Sequence, residues 1–534
     1  MLDRWLRRPV LMTALLALGV ALRLWAYAWP TSLYLDEILL TRNIFDLPLS
    51  HLLTQPLLFD QVAPRGFLLV ERVWVAMLGH NELALRLFPF ACAVGGLLLF
   101  RRLAERFLPE PAAMLALLLF AIAVPFLRFG ADVKPYSGDV LAAVGLTLLA
   151  LDLRTRDLPA TRLVQYGLVG VVVVWFSQAS VLVMAGLGLG LGLDWLIRRD
   201  ARAARGLAVT MPIWAGGCAL ALVAGLHSMT AATQTYMHEF WMAGFAPWPW
   251  RSAADLRWFW DQWTSLFSDA TLLRYRWPAT FTLIAIAGLV AVWKRNRSQA
   301  CLLAGPLVMA TVAAAAQQYP LRGRLAVWLL PFLLIGVAGG VDWLRQQVRR
   351  LHPWLAAAVV VGALVSPVIA LATAPPPYEI EHHWDVLRYL QQHRRPGDAV
   401  HVLQLQQIGT RFYGPRYGLL PDDWNTSICD RSDVRAFIRD VDRYRGAKRL
   451  WLVAGSGRPF TPVHVTVRKY LSTIGVKTDS AYFTSLTSST VGVELYDLSD
   501  PARLLTATAA TFPVPTIPID QRPGCRDWAQ PEAR

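Results

Sequence analysis

A polytopic α-helical membrane domain followed by a small α/β domain is the fold class that the sequence predicts. Three observations predict it. The 534 residues are 55% hydrophobic and only 17% charged, with a mean hydropathy of +0.38. A soluble chain of this length needs far more charge to cover its surface. About eleven apolar runs are each long enough to cross a bilayer, which takes roughly 17–25 residues. After "APPPY" at Ala374–Tyr378 the charge rises and the apolar runs shorten.

The runs lie near 9–29, 82–100, 112–128, 138–152, 163–177, 179–197, 206–226, 278–293, 299–317, 325–343 and 355–374. The first carries a cleavage-like "AYA" at Ala26–Ala28. It is too long for a signal peptide and predicts an uncleaved anchor. Basic segments alternate along the chain: "DRWLRR" before the first run, then "RRLAER", "LRTRDLPATR", "RRDARAAR", "KRNR" and "RQQVRR" after every second one. Short basic loops stay cytoplasmic. The loops 30–81, 129–137, 227–277 and 318–324 therefore face outward, and so does everything from 375 on. The net charge of +15 is in large part this topology signal and predicts no nucleic-acid partner.

Five cysteines form no CxxC pair, which argues against a zinc or redox motif. Cys92, Cys218 and Cys301 sit in apolar runs as packing residues. Cys429 and Cys525 lie in the polar C-terminal part, where an oxidising compartment would let them pair.

Ionisable residues gather on the predicted outer face. Asp36 and Glu37 stand in "YLDEILL" at the mouth of the first span. Later in that loop, "FDQVAPRGFLLVERVWVAMLG" begins with a turn at Ala63–Gly66. Apolar residues then follow at helical spacing, which predicts an interfacial amphipathic helix. "RFGADVKPYSGD" contributes Arg128, Asp132, Lys134, Tyr136 and Asp139. "QQYPLRGRL" contributes Tyr319, Arg322 and Arg324, and the loop 227–277 is dense in Trp. Each piece alone has a plain reading: a solvated helix cap, snorkelling cations, an aromatic belt, a turn. Together they suit an anionic lipid and a hydroxyl or amine. Lys134, Arg322 and Arg324 would hold the phosphate of a polyprenyl-phosphate sugar and stabilise its departure. Asp36 would take the proton of the incoming hydroxyl, and Glu37 would orient base, acceptor or cation. No P-loop or Rossmann glycine pattern stands at a strand–helix junction.

"LDE", "APRGFLLVERVW", "DVKPYSGDV" and "YPLRGRLAVWLLP", in that order and on that face, resemble the GT-C membrane glycosyltransferases over roughly residues 1–345. The bacterial branch similar to protein O-mannosyltransferases and to the lipid A aminoarabinose transferase is the nearest in kind. The resemblance implies a polyprenyl-phosphate sugar donor, inversion at the anomeric carbon and a catalytic Asp36 with Glu37 beside it. It implies a place for Asp132 or Lys134 in the donor pocket. The acceptor would be a glycan, a lipid or a protein, and the location the inner (plasma) membrane. Where relatives often carry a His or second Pro near "APRG", Arg65 follows Pro64 here and joins the candidate phosphate contacts. Some GT-C enzymes use a divalent metal and others do not. Beyond Asp36 and Glu37, with Asp132 or Asp139, no ligand cluster is evident. No cofactor is assigned, and a divalent cation stays open.

The membrane domain is expected over 1–374, an outward α/β domain over 375–502 and a loosely ordered tail over 503–534. In the α/β part, "EHHWDVLRYLQQHRRPGD", "RSDVRAFIRDVDRYRG" and "VTVRKYLSTIG" read as helices. "AVHVLQL", "KRLWLVAG" and "AYFTSLTSSTVGVELYDLS" read as strands. His382 and His383 read as a solvated helix start ahead of a metal pair. Two other classes compete. A lipid or glycan transporter or flippase would place charge at mid-bilayer depth and show repeats. A membrane scaffold of cell-envelope assembly would need neither the acidic pair nor the cationic loops.

Overall fold

The computed structural model describes residues 8–199, 201–226, 229–428, 433–456, 461–485 and 490–515. The expected pairing of Cys429 with Cys525 falls outside the described residues. The chain forms two compact units. One comprises Met1–Pro30 and Asn43–Tyr378; the other comprises Thr31–Arg42 and Glu379–Arg534.

The first unit is helical. Its helices are α1 (Arg8–Ala28), the last residues of α2 (Leu35–Asp46), α3 (Leu49–Thr54), α4 (Arg65–Leu78), α5 (Glu82–Phe107), α6 (Glu110–Ile122), α7 (Val124–Arg128), α8 (Tyr136–Thr155), α9 (Ala160–Val173), α10 (Ser180–Arg198), α11 (Ala201–Leu226), α12 (Ala231–Phe240), α13 (Ala253–Ser268), α14 (Pro278–Arg295), α15 (Arg297–Ala315), α16 (Leu330–Arg349) and α17 (Pro353–Thr373). Among the described residues nine helices are long and apolar enough to cross a membrane, and α6 and α9 are shorter apolar helices. These eleven coincide with the eleven apolar runs. The run expected over 112–128 breaks at Ala123, because Pro125 has no amide hydrogen to give to the Ala121 carbonyl and its ring crowds that turn. The loop 30–81 holds three helices, of which only α4 was expected.

Glycine decides how closely the helices pack. On α14 a Cβ at Gly288 would strike the backbone of Gly336 and Gly340 on α16. On α10 a Cβ at Gly186 would strike the backbone of Gly305 and Pro306 on α15. Backbone-to-backbone approach of this kind replaces the missing hydrophobic drive between helices in lipid. One end of the bundle is tied by charge. Asp194 on α10 accepts from Ser298 Oγ and pairs with Arg154 Nε at 3.3 Å. Arg106 on α5 pairs with Asp152 on α8 at 2.9 Å.

The second unit continues with α18 (His383–His393), β1 (Ala399–Val402), α19 (Gln404–Tyr413), β2 (Asn425–Thr426), α20 (Val434–Asp442), β3 (Leu450–Ser456), α21 (Thr461–Ile474), β4 (Val476–Thr484), β5 (Thr490–Asp497) and α22 (Pro501–Leu504). The sheet order is β2-β1-β3-β5-β4. β1 lies parallel to β2 and β3, with Val400 opposite Trp451; β5 runs antiparallel to β3 and β4. Gly397 and Gly446, with φ of 87° and 84°, supply the left-handed turns after α18 and α20. α19 and β2 were not foreseen. Both are short and lack an apolar run. Phe437, Ile438, Leu452, Val467 and Leu471 are buried in one core. The loosely ordered tail expected from 503 needs correction over its first residues. Ala507, Ala509 and Phe512 are buried in that core, and Phe512 stacks edge-on with Tyr470 at 5.1 Å. The remainder, from 516, lies outside the described residues.

Replacing Gly288 by Ala should cost about 1–3 kcal/mol, as overpacking against unyielding backbone does. Gly362→Ala is the control, since its Cβ would meet nothing within 4 Å. Thermal unfolding of both variants in detergent checks this: only the first should lower the midpoint.

Candidate functional site

The helical unit buries a charged cluster where the chain leaves α7 and enters α8. Asp132 lies in the turn between them and is 3% exposed. Four cations act on its carboxylate: Arg128, Arg86, Arg324 and Lys134. Arg128 Nε lies 3.6 Å from Asp132 Oδ2. Lys134 donates to Gln61 Oε1 at 3.1 Å. The Arg324 guanidinium sits over the Trp241 ring, 5.6 Å from its centre. Arg86 and Lys134 are buried too. Burial pushes the Asp132 carboxyl above the usual aspartate range, while the four cations pull it down. Tyr378, whose phenol burial raises, shares the field of Arg128, Arg23 and Asp132. Arg23 is buried as well. Its guanidinium donates to the carbonyls of Gly19, Ala121 and Phe120.

A second group adjoins the start of α8. Ser177 Oγ donates to Asp139 Oδ1 at 2.6 Å. Tyr319 donates to the Leu325 carbonyl at 2.9 Å, and its phenol, raised by burial, feels Asp139 and Tyr136. Tyr136 packs edge-on against Phe129 at 5.0 Å. Glu71 on α4 is wholly buried, and neither carboxyl oxygen has a hydrogen-bond partner. Burial alone pushes its carboxyl well above the glutamate range. Both Glu71 and Asp139 act electrostatically on the buried Cys92.

Seven of the sequence-predicted residues thus fall in these two groups: Arg128, Asp132, Lys134, Tyr136, Asp139, Tyr319 and Arg324. Two others stand elsewhere in the unit. Arg322 is exposed. Arg65 donates to the carbonyls of Leu52 and Gln55 at 2.6 Å each, closing the end of α3. Its two terminal nitrogens are committed to a helix terminus, as carbonyls left open there require.

Asp36 and Glu37 belong to the second unit, in the first turn of α2. Glu37 is 1% exposed and its Oε2 accepts from Tyr34 N at 3.1 Å, a cap formed from within the helix. Asp36 is half-buried. The expected solvated helix start at His382–His383 is corrected. His383 is buried, and its Nε2 lies 2.9 Å from Glu381 Oε2. Among the described residues no group of three or more His, Cys, Asp or Glu could hold a metal ion.

Sequence reasoning missed Arg86, Glu71, Gln61, Ser177 and Tyr378. Arg86 and Glu71 carried a signal: each is an ionisable residue set among apolar neighbours on a helix, where its cost demands a role. Gln61, Ser177 and Tyr378 carried none.

No family model matches the chain, and no curated protein does. Among solved structures it is similar to the oligosaccharyltransferase AglB of Archaeoglobus fulgidus, in complex with an inhibitory peptide and a dolichol-phosphate. The TM-score is 0.49 at 11% identity, covering 91% of this chain and 74% of that one. It is also similar to ArnT of Cupriavidus metallidurans bound to undecaprenyl phosphate, with a TM-score of 0.46 at 12% identity, covering 91% and 97%. The apo state of that ArnT gives 0.44 at 14% identity over the same shares.

Glu71 makes stability depend on pH. Its folded pKa is raised, so above about pH 4.5 the unfolded chain releases a proton that the folded chain keeps, and stability falls as pH rises. Glu71→Gln removes that titration. Melting midpoints in detergent between about pH 5 and pH 8 should fall more for the wild type than for the variant.

Proposed function

We propose that this chain is an inverting glycosyltransferase of the plasma membrane that takes its sugar from a polyprenyl phosphate. The observation that carries the reading is the cluster around Asp132. Within the helical unit, four cations face one carboxylate in a site shielded from water. Several cations gathered within reach of one carboxylate make a positive site in which an anion is stabilised. A lipid-linked phosphate fits: it is anionic, and its tail keeps to the bilayer beside the apolar helices.

In this reading Lys134, Arg128 and Arg324 hold the phosphate and stabilise its charge as the bond to the anomeric carbon breaks. Fixed guanidinium groups do so with little reorganisation, and Arg324 is held in place by its stacking on Trp241. Arg322, grouped with Lys134 and Arg324 from the sequence, is exposed and enters this scheme no further. Asp132 keeps the cations apart and oriented. Asp36 is the base that takes the proton of the acceptor hydroxyl. Attack from the face opposite the phosphate inverts the anomeric centre. Glu37 accepts the Tyr34 amide at the start of the helix and so helps hold the turn that carries Asp36. The acceptor is a hydroxyl or amine on a glycan, lipid or protein at the outer face. A flippase reading would need charges deep within the spans. The buried Arg23 supplies one, but its guanidinium bonds to helix carbonyls around it and so reads as packing.

Protein in lipid nanodiscs, given a panel of radiolabelled polyprenyl-phosphate sugars and a membrane extract as acceptor, tests the reading. Wild type should transfer label from one donor. Asp36→Asn should lose turnover by about 10²–10⁴-fold with donor binding intact, as loss of a general base does. In the same preparation Arg324→Ala should weaken donor binding by roughly tenfold or more, the cost of one charge-assisted contact. Equal transfer by Asp36→Asn and wild type would remove Asp36 from the chemistry. Failure to transfer from any donor, with no donor bound, would overturn the reading.

A further inference from the structure

The segment that presents Asp36 is bonded to the C-terminal part of the second unit. Thr31–Arg42 clusters with Glu379–Arg534. The bonds are specific, and three of them run from backbone amides just before Asp36 to side chains far along the chain. Ser32 N donates to Glu379 Oε1 at 3.1 Å. Leu33 N donates to the Tyr413 hydroxyl at 2.9 Å. Leu35 N donates to Glu381 Oε2 at 3.0 Å. Ser32 Oγ bonds to Glu379 and to the Glu381 carbonyl, and accepts from His383 N at 3.2 Å. Tyr34 N, the remaining amide, is taken by Glu37.

A helix start normally leaves amides without intrahelical partners. Here a carboxylate from another part of the chain satisfies one of them, at the end of the helix dipole that favours negative charge. The carboxylate is itself held. His383 Nε2 reaches the same Glu381 oxygen at 2.9 Å. The His383 ring is buried against α19, where Gly409 makes room for it: a Cβ at Gly409 would run into the ring. Tyr413, the partner of Leu33, is wholly buried on the same helix, and its ring lies 6.2 Å from that of His383. The chain of support runs from the Gly409 face of α19 to His383, to Glu381, to the Leu35 amide, to Asp36.

We propose that Glu381 and His383 are positioning residues for the acidic pair. The C-terminal unit sets the direction in which Asp36 projects, and so is part of the reaction machinery. This inference rests on the reading of Asp36 as base. A carboxylate that must meet an acceptor hydroxyl loses rate steeply when displaced, by about 10²-fold for roughly 1 Å.

The test uses full-length protein in nanodiscs and three variants. Glu381→Ala removes the acceptor of the Leu35 amide, and Glu381→Gln keeps an oxygen there. Gly409→Ala displaces the His383 ring and leaves Glu381 in place. Two readouts are taken: amide hydrogen exchange over residues 32–38, and kcat with KM in the sugar-transfer assay. Exchange should quicken in Glu381→Ala and Gly409→Ala, and kcat should fall at least tenfold with KM for the donor little changed. Glu381→Gln should recover most of both. Unchanged exchange, or quickened exchange with unchanged kcat, would overturn the proposal. If the wild type transfers no sugar at all, the glycosyltransferase reading falls by itself. Exchange over 32–38 then decides whether the C-terminal unit holds the acidic pair.

Discussion

Charge buried away from water is the constraint on which the rest of the structure turns. Helices in a bilayer satisfy their own backbones, so the eleven apolar helices need little else to persist there. A cluster such as Arg86, Arg128, Lys134 and Arg324 around Asp132 is different. It persists only if the surrounding fold over-determines it. The surroundings answer that need. Gln61 receives Lys134, Trp241 stacks on Arg324, and Arg128 pairs with Asp132 four residues on. Elsewhere in the unit the close glycine contacts of α10 with α15 and of α14 with α16 leave those helices little room to shift.

Much of the membrane fold was legible in the sequence because bilayer thickness and loop charge act on single segments. Length and hydropathy locate a span without knowledge of its neighbours. The α/β unit was legible in its longer pieces for a similar reason: α20 and β3 show their period locally. α19 and β2 were hidden because their conformation is fixed by partners far along the chain. The break before Pro125 is local chemistry that a hydropathy window averages away.

The site was legible by type more than by contact. "ADVKPYSGD" announced a polar turn, and the turn indeed carries Asp132 and Lys134. Sequence spacing could not say that Arg324, two residues past Arg322, joins Asp132 while Arg322 faces solvent. Nor could it say that the nitrogens of Arg65 would close a helix end. Arg86 was absorbed into a hydrophobic run and Glu71 into an amphipathic helix, so the pattern that identified the elements concealed the charges inside them. The pairing of Ser32, Leu33 and Leu35 with residues 379–413 has no local trace at all.

That last pairing bears on how the protein is made. The first residues of α2 are synthesised early, yet the partner of Ser32 follows 347 residues later. Until Glu379, Glu381 and Tyr413 have left the ribosome and folded, the amides before Asp36 lack the acceptors that fix them. The membrane helices can insert in order as they emerge, but the acidic corner is completed last. A nascent or truncated chain therefore carries its cation cluster before it carries a set carboxylate.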